Sequence, residues 1–118
     1  MTNNFSAYDP AQLPVSVLGY LDAHDDNRYG DARALFTADA RVIDDGHIYE
    51  GIDEIGTWIE RTSGEYDYVS TRTGQRHDDD THVTVQVRLD GNFPGGTVTL
   101  RYQFTLDKNL IGGLVIEV

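Results

Sequence analysis

Apolar positions along this 118-residue chain follow two rhythms, helical in the first half and strand-like in the second. Val17, Tyr20, Leu21 and His24 recur at spacings of 3, 4 and 7, one face of a helix. Pro14 suits a first helical turn, where its missing N–H is no loss. The spacing predicts a helix over about Leu13 to Asp25, ended by the turn formers Asp25-Asp26-Asn27. Gly30-Asp31 opens a second helix, with Ala32, Leu35 and Phe36 as its stripe through about Thr37. Arg41-Val42-Ile43-Asp44 reads as a short strand, Asp45-Gly46 as a hairpin turn and His47-Ile48-Tyr49-Glu50 as the return strand. After Gly51, Ile52, Ile55 and Ile59, with Trp58 beside them, predict a third helix whose Asp53 and Glu54 favour its positive end. Ser63-Gly64 stops it.

From Tyr66 onward the period falls to two. Tyr66 to His77 is rich in Tyr, Val and Thr, and Asp78-Asp79-Asp80 reads as a turn. Val83, Val85, Val87 and Leu89 alternate with polar residues, as do Val98, Leu100, Tyr102, Phe104 and Leu106 after the loop Gly91 to Gly96. Asp107-Lys108-Asn109 turns the chain into a last strand, Leu110 to Glu117. Helices first and strands second argue an α+β fold with an antiparallel sheet. The apolar face of that sheet should pack on the three helices, and its Thr/Arg/Gln face should meet solvent or a partner subunit. Residues 1–12 form a polar lead-in, and 13–118 form one domain.

Composition narrows the chemistry. Twenty acidic against nine basic residues give a net charge of -11, so nucleic acid is not an expected partner. Cysteine is absent, which removes disulfides, zinc–thiolate sites and thiol nucleophiles. No apolar run approaches the roughly 20 residues of a membrane span. The first twelve residues lack the basic and apolar regions of a signal peptide, so no membrane partner and a cytoplasmic location are expected. His77 and His82 flank the Asp78 to Asp80 turn, but no metal-ligand spacing appears, and neither metal nor cofactor is expected.

Tyr20 to Gly56 carries a recognisable combination: a helical Tyr, a Gly-Asp helix start, Leu-Phe-x-x-Asp-Ala-x-Val, an acidic turn, and Tyr-x-Gly-x-x-x-Ile opening the third helix. With Tyr-x-Phe on a late strand, it resembles the nuclear transport factor 2-like (cystatin-like) superfamily, in its SnoaL-like and ketosteroid isomerase-like branch. The resemblance implies a cone-shaped, curved antiparallel sheet packed on three N-terminal helices, a pocket for a small apolar molecule, and a homodimer through the sheet face. It implies an isomerase, cyclase or lyase without a cofactor, although the same fold also hosts non-catalytic binders. In ketosteroid isomerase the base is an Asp eight residues after the Phe of Leu-Phe, which is Asp44 here, and an oxyanion-holding Tyr lies sixteen residues before that Phe, which is Tyr20. The second oxyanion donor, an acid in that family, aligns with Tyr102, or with Leu100 after a two-residue slip.

Read without the family, Val42 and Asp44 share one strand face and Arg41 and Ile43 the other, and either pair can face the core. Asp44 is then a pocket base or one of two solvated turn acids with Asp45. Tyr20 lies on the core stripe and either donates to a ligand or bridges helix and sheet. Tyr102 lies in an apolar row with Leu100 and Phe104, which suits pocket lining. Phe36 and Trp58 form an aromatic wall or plain core, and His24 is a pocket acid/base or a partner of the helix's negative end. A catalytic pocket, a non-catalytic apolar binder and a dimerisation module are the functions these residues allow.

Overall fold

The computed structural model describes residues 5–63 and 68–118. The expected stop at Gly64, the strand start at Tyr66 and the first four lead-in residues lie outside them. A short 3-10 turn (Pro10–Gln12) precedes α1 (Val15–Asp25), α2 (Tyr29–Arg33), β1 (Phe36–Asp44), β2 (His47–Glu50), α3 (Ile52–Ser63), β3 (Tyr68–Asp79), β4 (His82–Gly91), β5 (Thr97–Asp107) and β6 (Leu110–Glu117). The strands form one curved, unclosed sheet in the order β2-β1-β6-β5-β4-β3. Its neighbours are antiparallel except β1 and β6, which run parallel. Bulges in β1, β3 and β6 supply bends that a regular ladder lacks. The fold is the α+β cone of sheet and helices that the sequence led us to expect.

The helices cover the apolar face of the sheet. Val17, Tyr20 and Leu21 of α1 are buried, as are Ile55, Trp58 and Ile59 of α3. They meet Val83, Val85 and Val87 of β4, Tyr102 and Phe104 of β5, and Ile111, Leu114 and Ile116 of β6 in one core. Gly19 lets α1 come close to the α2–β1 link, because a Cβ there would lie 3.1 Å from the Leu35 side chain. Asp45 and Gly46 turn the β1–β2 hairpin with φ of 52° and 77°, both central residues left-handed as a type I′ turn requires.

Three expectations need correction. The second helix is only five residues long, and Leu35 and Phe36 leave it: Ile111 N–H donates to Leu35 O at 2.8 Å and Phe36 already pairs with Ile111. Pairing with β6 draws Phe36 to Asp44 into a nine-residue strand, which overrides a local helical stripe. Pro14 is the N-cap of α1 and not part of its first turn. The strand β3 runs on through Asp79, because His77 and Asp79 still pair with Val83 and His82 of β4, and the turn falls at Asp80-Thr81. The polar lead-in is also no free tail. Ser6 pairs with Gln75 through two backbone bonds, and the Gln75 side chain exchanges two more with the Asp9 backbone.

Candidate functional site

The alternation along β1 is settled by Val42, which is fully buried while Arg41 is exposed. Asp44 shares the face of Val42. Asp45 is the exposed turn residue. The indole Nε1–H of Trp58 donates to Asp44 Oδ2 at 3.0 Å, so α3 fixes the carboxylate at the end of β1. On its outer side Asp44 faces a cleft of about 470 Å³ that it shares with Asp45, His47, Tyr49 and Arg61.

Register decides which β5 residue stands in the row of Asp44. Asp44 pairs with Ile116 of β6, and Ile116 pairs with Tyr102 of β5. Asp44 and Tyr102 therefore flank one residue in a row across the sheet, roughly 10 Å apart at two strand spacings. Leu100, half-buried, pairs with Val87 two residues further along and is out of that row.

Tyr20 reaches the same interior from α1. It is 0 % exposed. Phe36 and Phe104 meet its ring edge-on at 5.5 and 5.8 Å, and the His24 ring lies 5.9 Å away. Its hydroxyl makes no hydrogen bond among the described residues. Burial, then the nearby Tyr102 and Asp44, push the Tyr20 phenol well above its ordinary range. Tyr102, stacked on Phe104 at 6.4 Å, is pushed up by burial, Tyr68 and Asp44. Both phenols stay protonated at any physiological pH and can donate. Asp44 and Tyr102 thus stand in one row across the sheet, and Tyr20, packed on Phe36 and Phe104, lies within electrostatic reach of both.

The three do not open into one pocket. Asp44 lines the outer cleft, while Tyr102 lines a second opening between α1 and β3 with Leu21, His24 and Val87, only about 10 Å³ in volume. The sequence reading missed this second rim. Asp25, taken as a turn acid, accepts from Ser70 Oγ at 3.1 Å and from Arg72 at 2.9 Å. Burial raises its carboxyl, but hydrogen bonds from His24, Arg72 and Ser70 outweigh that and leave it lowered. The alternation Tyr68, Ser70, Arg72 on one face of β3 was the available signal. His82 bonds Asp79 at an exposed turn, and no group of three or more His, Asp or Glu among the described residues is arranged to hold a metal. No helix among them is long and apolar enough to cross a membrane.

Comparison with known proteins places the fold. A model of the SnoaL-like domain matches residues 17–118. No curated protein matches the chain. A Sinorhizobium meliloti protein described as a candidate polyketide cyclase superposes with a TM-score of 0.86 at 31% identity, over 93% of this chain and 100% of its own. A Catenulispora acidiphila protein of ketosteroid isomerase-like fold, solved with trimethylamine, gives 0.77 at 20% identity over 91% and 87%. A Mycobacterium tuberculosis protein solved with estradiol-17β-hemisuccinate gives 0.73 at 14% identity over 94% and 95%.

Proposed function

The chain belongs to the SnoaL-like domain family, and on that footing we propose that it is a cofactor-free isomerase, cyclase or lyase acting on a small apolar carbonyl compound. Asp44 is its general base, and Tyr20 and Tyr102 are its oxyanion donors. Asp44 takes a proton from the carbon next to the carbonyl. The electron pair of that C–H bond forms a C=C bond, the π pair of the carbonyl moves onto its oxygen, and the two phenols donate hydrogen bonds to the enolate. Asp44, now protonated, returns the proton to another carbon, or the enolate carbon attacks a second carbonyl carbon, whose π pair moves onto its oxygen and takes the proton from Asp44.

The observation that carries this reading is the Tyr20 hydroxyl. It is fully buried, protonated, near Asp44 and Tyr102, and without a protein acceptor among the described residues. Such a group costs on the order of 1–3 kcal/mol to bury, and a ligand oxygen would satisfy it. The Trp58 bond to Asp44 holds the proposed base in one orientation.

A second reading, a non-catalytic binder of apolar molecules, is favoured by the Mycobacterium tuberculosis fold relative that holds a steroid ester. One experiment separates the two. Exchange of α-protons in a panel of polycyclic ketones is followed by NMR in heavy water. The enzyme accelerates exchange, and Asp44→Asn lowers it by roughly 10²–10⁴-fold while ligand line-broadening persists. Unchanged exchange in Asp44→Asn removes Asp44 as the base. Binding without any exchange by the unaltered protein supports the second reading.

A further inference from the structure

The opening beside Tyr102 measures about 10 Å³, the space of about one water. An organic molecule that reaches Tyr102 from this side must part the elements around it. What joins them is polar. Asp25 is the last residue of α1, and its carboxylate accepts from Ser70 and Arg72 of β3. Ser70 and Arg72 are two residues apart, so both point to the helix side, and both line the opening with Asp25. Arg72 also contacts Asp22 of α1 at 2.8 Å and donates to the Tyr8 hydroxyl at 2.8 Å, with its guanidinium 5.6 Å from the Tyr8 ring centre. Tyr8 is itself held by the Gln75–Asp9 and Gln75–Ser6 bonds of the lead-in. The guanidinium is thus fixed from α1 and from the lead-in at once, and its side chain is only 14% exposed.

We infer that the Asp22–Asp25–Arg72 cluster is the latch of this opening and its charge filter: the last turn of α1 parts from β3 to admit a ligand, and the ligand it admits is neutral, not anionic. The inference rests on the reading of the Tyr20–Tyr102 interior as a ligand site. Two features support it. Asp22 and Asp25 sit in the last turn of α1, where the negative end of the helix disfavours acids, so they depend on Arg72 across the opening. Two carboxylates against one guanidinium also leave a net negative rim. The other groups on the rim are His24, Tyr68 and Tyr8, and none carries a fixed positive charge. Arg72 is already engaged by three acceptors. An anion meets like charge there, whereas a neutral carbonyl compound does not.

The chain has no cysteine, so Val87→Cys places a single thiol in the wall of the opening. Iodoacetamide and iodoacetate alkylate thiols by the same displacement and differ in charge. The ratio of their rates, compared with that at the exposed control Thr99→Cys on the far face of the sheet, cancels the reactivity of the thiol itself. In Val87→Cys the preference for iodoacetamide should exceed the control by about tenfold, and Asp25→Asn should shrink that excess several-fold. Asp25→Ala should speed iodoacetamide labelling of the same thiol by about tenfold. Equal ratios at the two thiols overturn the filter. A labelling rate untouched by Asp25→Ala overturns the latch. If Asp25→Ala does not fold, Ser70→Ala, which removes one bond and no charge, takes its place with the same acceleration expected. Neither readout uses turnover, so failure here and failure of the Asp44→Asn exchange experiment are separate results.

Discussion

The inner site and the rim are built from similar groups, tyrosines and aspartates, yet their polar atoms stand in opposite conditions. At the rim, Asp25 has Ser70 and Arg72, and Arg72 has Asp22 and Tyr8 as well. In the interior the Tyr20 hydroxyl has no partner among the described residues. A bonded group holds the fold together. A buried donor left without an acceptor weakens the fold. The contrast separates residues that should report on stability from residues that should report on chemistry.

Tyr20→Phe tests the interior and should show the largest effect. Removing the proposed oxyanion donor should lower α-proton exchange by roughly 10²–10³-fold. The same change should leave the urea midpoint unchanged or raise stability by up to about 1 kcal/mol, because it deletes an unsatisfied hydroxyl. A variant that loses stability and keeps exchange would show that the hydroxyl serves the fold. Arg72→Met tests the rim and should do the reverse. It leaves two carboxylates uncompensated and should cost roughly 1–3 kcal/mol in urea unfolding, with a smaller effect on exchange. Arg28, which also holds two carboxylates but at the exposed surface, is its control. Equal losses in the two variants would mean that the rim is an ordinary surface ion pair.

The smallest effect is the acid limb. Asp25 is lowered in the folded chain, and Asp79 is lowered to about 2 by bonds from His82 and from the Thr81 backbone. A carboxyl lowered on folding stabilises the fold above its ordinary value near 3.8 and loses that contribution as pH falls towards its folded value. Urea midpoints should therefore hold from neutral pH down to about pH 4 and fall between about pH 4 and about pH 2. Asp25→Asn should make that fall shallower, and an unchanged slope would detach Asp25 from the latch.

The sequence carried the architecture well where periodicity was strong. Val83 to Leu89 and Val98 to Leu106 alternate as written, and the Ile55, Trp58, Ile59 stripe is the buried face of α3. It failed where a distant strand decides the outcome. Nothing local to Leu35-Phe36 announces that Ile111 will pair with it, so the strand there was read as helix. For the inner residues the resemblance pointed to Asp44 and Tyr20 by their distance from Phe36, and to Tyr102 or Leu100 on a late strand; the sheet register, which no local pattern announces, puts Tyr102 and not Leu100 in the row of Asp44. The rim was not legible, because Asp25 and Arg72 meet across 47 positions of chain, and each taken singly resembles any surface charge.

The parallel pairing of β1 with β6 has a consequence for how this molecule acquires its shape. β6, the last strand in the chain, lies in the middle of the sheet, between β1 and β5. Until it docks, the β1–β2 hairpin and the β3–β4–β5 meander share no ladder, and Asp44 and Tyr102 belong to two unconnected pieces. The pairing that joins them spans most of the chain and demands the costliest loop closure in the topology. Assembly of the row Asp44–Ile116–Tyr102 is therefore bound to the slow, cooperative step of folding, and no early fragment of the chain can hold those two side chains in register.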